Sequence, residues 1–119
     1  MKSREELSEP LKPAIFQVLL SLAESDKHGY AILKDVEEQT GGEVRLSTGT
    51  LYAVFKRLLA EGLIVECRNR PPAGEDDQRR RYYRLTPAGR AVAIAEAERM
   101  ERVLAQAREA KLIRKFRPA

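Results

Sequence analysis

The chain has little sulfur or imidazole with which to do chemistry. Its 119 residues include one cysteine, Cys67, one histidine, His28, and no tryptophan. A lone cysteine closes no disulfide within the chain, and the composition suits a reducing cytoplasm. As a small apolar side chain in a strand, Cys67 has its ordinary role. One histidine and one cysteine leave almost no material for a zinc site or for a Ser–His or Cys–His nucleophile pair. Carboxylate pairs occur at Glu37-Glu38 and Asp76-Asp77. Both fall on stretches that read as helix or loop surface, where charge keeps a protein in solution. The expectation is a protein that is not an enzyme and that needs no metal or other cofactor. Long apolar runs are also missing, and MKSREELSEPLK at the start lacks a signal-peptide core. A cytoplasmic location without membrane contact follows as an expectation.

Charge is present in quantity. Lysine and arginine number 22 against 18 aspartates and glutamates, a formal net charge of +4. That excess leans mildly towards an acidic partner such as nucleic acid. The length suits one domain with one modest core, plus an appended helix.

Hydrophobic spacing divides the chain. Residues 11–25 read as a first helix, with Pro13 in its first turn and Ala14, Ile15, Val18, Leu19 and Leu22 as its core stripe. Phe16, Leu20 and Ala23 form a second apolar line, expected to meet another subunit or a late helix. Residues 26–29 read as a turn. A second helix follows over roughly 29–40, with Ile32, Leu33 and Val36 inward, until Thr40-Gly41-Gly42 stops it. Tyr30 lies off that stripe, either at the core edge or with its hydroxyl outward. After an extended link, Ser47 is placed as the N-cap of a third helix that runs to about Glu61. Leu51, Val54, Phe55 and Leu58 are its core positions. Two short helices joined by a tight link suggest helix-turn-helix topology.

Residues 63–68 and 80–85 are strand candidates, separated by the turn-forming stretch NRPPAGEDDQ. Together they predict a hairpin that serves as a wing and leans on the helices. Thr86-Pro87 restarts a helix that runs to about residue 112. In it Ala93, Ala97, Met100, Leu104 and Ala107 alternate four- and three-residue steps, the seam of a helix pairing with another helix. Dimerisation is the expectation; the alternative is a helix folded back on its own domain. The predicted organisation is mainly α with a small β-hairpin. It comprises a winged helix-turn-helix domain over 11–86, a C-terminal dimerisation helix over 87–112 and a basic tail over 113–119.

The third helix has an unusual outer face. Opposite its core stripe lie Gly49, Tyr52, Ala53 and Lys56, with Arg57 on one flank. Small residues let a flat surface approach, tyrosine donates a hydrogen bond, and lysine or arginine neutralises phosphate. The helix start adds free N–H groups and a partial positive charge. A helix entering the major groove by its N-terminal end needs these features, and Ser47, Thr48 and Thr50 would then touch phosphates or base edges. The plainer account is a capped helix with incidental surface residues. Arg79, Arg80, Arg81 and Arg84 in the wing favour the first account, because basic side chains there would lie against the DNA backbone. Glu75-Asp76-Asp77 at the wing tip points the other way.

In their order, HGYAILKDVEEQTGG, LSTGTLYAVFKRLLAEGLI and RRRYYRLTPAGR resemble the PadR family of bacterial transcriptional regulators over about residues 12–105. The single C-terminal helix is similar to the short branch of that family. The resemblance implies a homodimer in which the fourth helix embraces the partner's first helix, which would occupy Phe16 and Leu20. It implies a repressor on double-stranded DNA at a pseudo-palindromic operator, and a small-molecule effector. It places Tyr30, Ser47, Thr48, Thr50, Tyr52 and Lys56 near DNA, with Arg80 and Arg81 in the wing. The chain departs from the pattern in its long acidic wing loop and in having no tryptophan for an aromatic platform at the dimer centre. The rival from another class is a winged-helix protein-interaction module without specific DNA binding.

Overall fold

The structure is a computed structural model and describes residues 10–67 and 81–114. Four helices and three strands follow in the order α1 (Pro13–Glu24), β1 (Lys27–His28), α2 (Gly29–Gln39), α3 (Thr48–Ala60), β2 (Ile64–Cys67), β3 (Tyr82–Leu85) and α4 (Pro87–Glu109).

Helices α2 and α3 each stop where a glycine takes up a left-handed turn. Beyond α2, Gly41 has φ 61°, and Gly42 donates its N–H back to the Glu37 carbonyl at 2.8 Å. Beyond α3, Gly62 has φ 73°, and Leu63 donates to the Leu58 carbonyl at 2.9 Å. Both closures satisfy carbonyls that the helix would otherwise leave open. Between α2 and α3 the link alternates, with Val44 and Leu46 packed on the core and Glu43 and Arg45 exposed. Thr40 holds that link by accepting the Val44 N–H at its hydroxyl, 3.0 Å away.

The core is one cluster: Val18, Leu19 and Leu22 from α1, Ile32 and Val36 from α2, Leu51, Phe55 and Leu58 from α3, joined by Ile64, Tyr83 and Leu85 of the sheet. Phe55 stacks on Tyr83 with ring centres 4.2 Å apart, so the wing leans on α3 through an aromatic pair. Beside this core runs a polar tie. Ser21, buried in α1, donates to Asp35 of α2 at 2.6 Å, and the Lys27 ammonium donates to that carboxylate at 3.0 Å and to the Ser21 carbonyl at 2.6 Å. The Ser21 hydrogen bond, then Lys27, hold the Asp35 carboxyl below its ordinary pKa, against the opposing effect of burial.

Two expectations need correction. Lys27 and His28 are not a turn but a strand, and the hairpin is one part of a three-stranded sheet in the order β1-β3-β2. Lys27 pairs with Tyr83 and His28 with Tyr82, while Ile64 pairs with Leu85 on the other side. Two residues carry no readable alternation, so this strand exists only because β3 offers it a free edge.

The fourth helix divides along its length. Its first half folds back on its own chain: Ala93 joins the core, and Glu96 is 4% exposed. Arg99 grips the Glu96 carboxylate with two bonds of 2.8 Å. That grip is the main cause of a lowered Glu96 pKa, with burial opposing it and the Leu11 backbone N–H adding to it. From Val103 onward the side chains are mostly exposed. The start of α4 is locked to the end of α3. Thr86 caps the helix by accepting the Gly89 N–H, donates its hydroxyl to the Gly62 carbonyl at 2.6 Å, and donates its N–H to the Leu63 carbonyl at 3.1 Å.

Candidate nucleic-acid interface

The outer end of α3 is built from small polar residues, each with a local reason. Ser47 takes an extended conformation, and its oxygen accepts the Thr50 N–H at 3.0 Å. Its hydroxyl proton goes to the Thr50 oxygen at 2.9 Å. The first bond of the helix ladder runs from the Leu51 N–H to the Ser47 carbonyl. The Thr48 and Gly49 amides therefore have no partner inside the helix and open outwards. Ser47, Thr48, Gly49 and Thr50 are all exposed. A Cβ placed on Gly49 would meet nothing within 4 Å, so the interior gives no reason for a glycine there.

Further along the same face, Tyr52 is 56% exposed and leans its ring edge on Phe55 at 6.0 Å. Ala53 and Lys56 are exposed beside it. Tyr30, whose orientation was open, projects outward at 64% exposure from the first turn of α2. The preceding Gly29 packs on Leu51 and Phe55, each 3.5 Å from where its Cβ would stand. The start of α2 thus sits directly across α3, capped by His28 accepting the Ala31 N–H.

The cations differ in what surrounds them. Among the described residues, no carboxylate lies within ion-pair distance of Lys56. Arg57 is held by Glu61 at 2.8 Å, one helical turn on. Arg81 stands 3.6 Å from Glu66 across the sheet. Arg84 makes three hydrogen bonds of 2.8–3.2 Å to Asp26, so it ties the wing to the α1–β1 corner rather than facing outward as a free charge. Arg80, Arg79 and the wing-tip acids lie outside the described residues. One cation was missed in the sequence. Arg45 is exposed two positions before the Ser47 cap and 3.5 Å from Glu37. The alternating link Glu43-Val44-Arg45-Leu46 carried that signal.

Burial, then the Asp26 carboxylate, push the Cys67 thiol up, which favours the protonated form. The residues expected between subunits are placed unequally. Phe16 and Ala93 are buried within the single chain, Leu20, Ala97 and Leu104 are exposed, and Met100 and Ala107 are half-buried.

A capped, outward-facing helix start, a second helix seated across it and a sheet-borne wing define a winged helix-turn-helix protein of the transcription-regulator class. The Transcriptional regulator PadR-like family matches residues 18–95. The chain belongs to the PadR-like family of transcriptional regulators, whose members are regulators and not enzymes. It is 33% identical over 84 residues to a transcriptional regulator of Mycobacterium tuberculosis, a match spanning 71% of this chain and 72% of that protein. It is 41% identical over 86 residues to an uncharacterized 37.1 kDa transposon protein of Streptomyces fradiae, of which it spans only 22%. It spans 65% of an uncharacterized protein of Lysinibacillus sphaericus, at 32% identity. A transcriptional regulator from Clostridium thermocellum superimposes with a TM-score of 0.65 at 29% identity, over 85% of this chain and 90% of that one. A PadR family regulator from Clostridium difficile shares the fold with a TM-score of 0.70 at 24% identity, over 82% of this chain and 97% of that one. Among the described residues no helix is long and apolar enough to cross a membrane.

Proposed function

We propose that the chain binds double-stranded DNA as a homodimer and represses transcription from a pseudo-palindromic operator. The observation that carries this reading is the α3 start, with two outward amides, an unforced glycine and exposed Tyr52 and Lys56 on one face. The helix would enter the major groove by that end, with Tyr30 and the Arg81 wing against the backbone. Two such helices would meet half-sites about one turn (~34 Å) apart. The 11–86 unit would carry this contact and 87–112 the pairing of chains.

Support for a partner chain comes from the distal α4. Val103 is 48% exposed and Leu104 46%, and with Arg99 and Met100 they line an open groove of about 250 Å³. Leu20, 43% exposed on α1, is a further apolar side chain available to a second copy. We assign the groove to that copy rather than to a small-molecule effector.

The test is selection of binding sites from random DNA, followed by affinity measured against salt. A symmetric site and affinity that falls steeply with salt are expected. Lys56→Ala should weaken binding to all sequences and reduce the salt slope by about 1, whereas a change at Thr50 should alter base preference. Absence of salt-sensitive binding to any duplex would overturn the reading and favour a protein-interaction module.

A further inference from the structure

We infer that Glu61 and Glu66 are internal competitors for phosphate, each holding an arginine of the DNA-facing surface and so setting DNA affinity down. This rests on the DNA-binding reading above. The cations of that surface fall into two kinds. Lys56 has no carboxylate partner among the described residues, so its attraction for phosphate is unconditional. Arg57 and Arg81 are each already paired, with Glu61 at 2.8 Å and Glu66 at 3.6 Å.

Both pairs are built to exchange. The Arg57 and Arg81 side chains are 55% and 67% exposed, so a phosphate can reach either guanidinium. Exposed pairs of this kind are weak, and water already competes for them. The contrast is Arg84, whose three bonds to Asp26 fix it as a strut. Once DNA arrives, each glutamate either keeps its arginine from the phosphate or is left beside a phosphate of like charge. Both outcomes weaken binding, and both lower the number of counterions that the surface displaces from DNA. Arg45, 3.5 Å from Glu37, repeats the arrangement just before the α3 cap.

Glu61→Gln and Glu66→Gln keep the side-chain shape and remove the charge. Affinity for a random-sequence duplex is read by fluorescence anisotropy across a salt series. Each variant should bind about threefold to fourfold tighter at low salt, the effect of one unit charge at roughly 5 Å in water. The salt slope should steepen by about 1 per variant. In an Arg57→Gln background the gain from Glu61→Gln should shrink, because the guanidinium that Glu61 holds at 2.8 Å is gone. Unchanged or weaker binding by both variants overturns the inference, and so does an equal gain with and without Arg57. If the unaltered protein shows no salt-sensitive binding, the DNA-binding reading itself fails and the inference with it.

Discussion

Replacing Gly89 by alanine adds one methyl group at the most crowded of the described glycines. A Cβ there would stand 1.9 Å from the Leu63 carbonyl oxygen and 2.9 Å from its carbon. Ordinary contact begins at about 3.4 Å, so backbone must move by more than an ångström. The carbonyl cannot retreat freely, because it accepts the Thr86 N–H at 3.1 Å. The helix cannot retreat freely either, because Thr86 is tied to the Gly62 carbonyl at 2.6 Å. Forced overpacking costs about 1–3 kcal/mol. Loss of the Thr86 bond adds about 1 kcal/mol. Alanine's better helix propensity returns at most about 1 kcal/mol. The net is a loss of about 1–3 kcal/mol, or a fall in melting temperature of roughly 4–12 °C for a chain of this size. Circular dichroism melts of the two proteins measure it. A variant melting within about 2 °C of the parent would show that the α3–α4 joint has slack, and would refute the packing argument.

Four further outcomes are expected. Gly49→Ala meets no neighbour and should raise stability by about 0.5 kcal/mol while weakening operator binding; tighter or equal binding in anisotropy would remove the reason given for the glycine. Ser47→Ala loses the cap to Thr50 and should cost about 1 kcal/mol in urea unfolding, with binding weakened as α3 frays. Asp35 has a folded pKa below its unfolded one, so its stabilisation is complete above about pH 4 and is lost as pH falls through the lower folded value. Urea midpoints in acid should therefore fall less for Asp35→Asn than for the parent, and parallel curves would contradict the assignment. Leu104→Glu places a charge on the exposed distal half of α4 and should shift a dimer towards monomer in sedimentation, on the order of 2 kcal/mol per protomer.

Most of the helical frame was legible because the chain punctuates it. Pro13, Gly41-Gly42, Gly62 and Thr86-Pro87 mark ends that the structure places within a few residues of expectation. The Ser47 cap and the outward face of α3 could be read from spacing alone, since both are local. Pairings set by the tertiary fold could not. The β1 strand is two residues long and finds its partner only through β3. Arg84 read as one more wing cation, because its partner Asp26 lies in a different part of the chain. Glu96 falls among the alanines of α4 without any sign that it would be buried; its burial follows from the way α4 meets the start of α1. The Arg57–Glu61 pair was within reach of sequence reasoning, since the two stand four apart on one helix.

The short strand β1 has a consequence for how the molecule meets a long, stiff partner. His28 is at once a rung of the sheet and the cap of α2, and its ring stands edge-on to Tyr82 at 5.4 Å. The residue two places after it is Tyr30, and the one before Tyr82 is Arg81. Backbone therefore welds the entrance of α2 to the root of the wing. A duplex touching both would find their separation already fixed in the free protein, with little freedom left to lose on contact. On the DNA-binding reading proposed above, the two contacts would act as a calliper with a set gap, and DNA whose groove width did not match it would be disfavoured before any base was read.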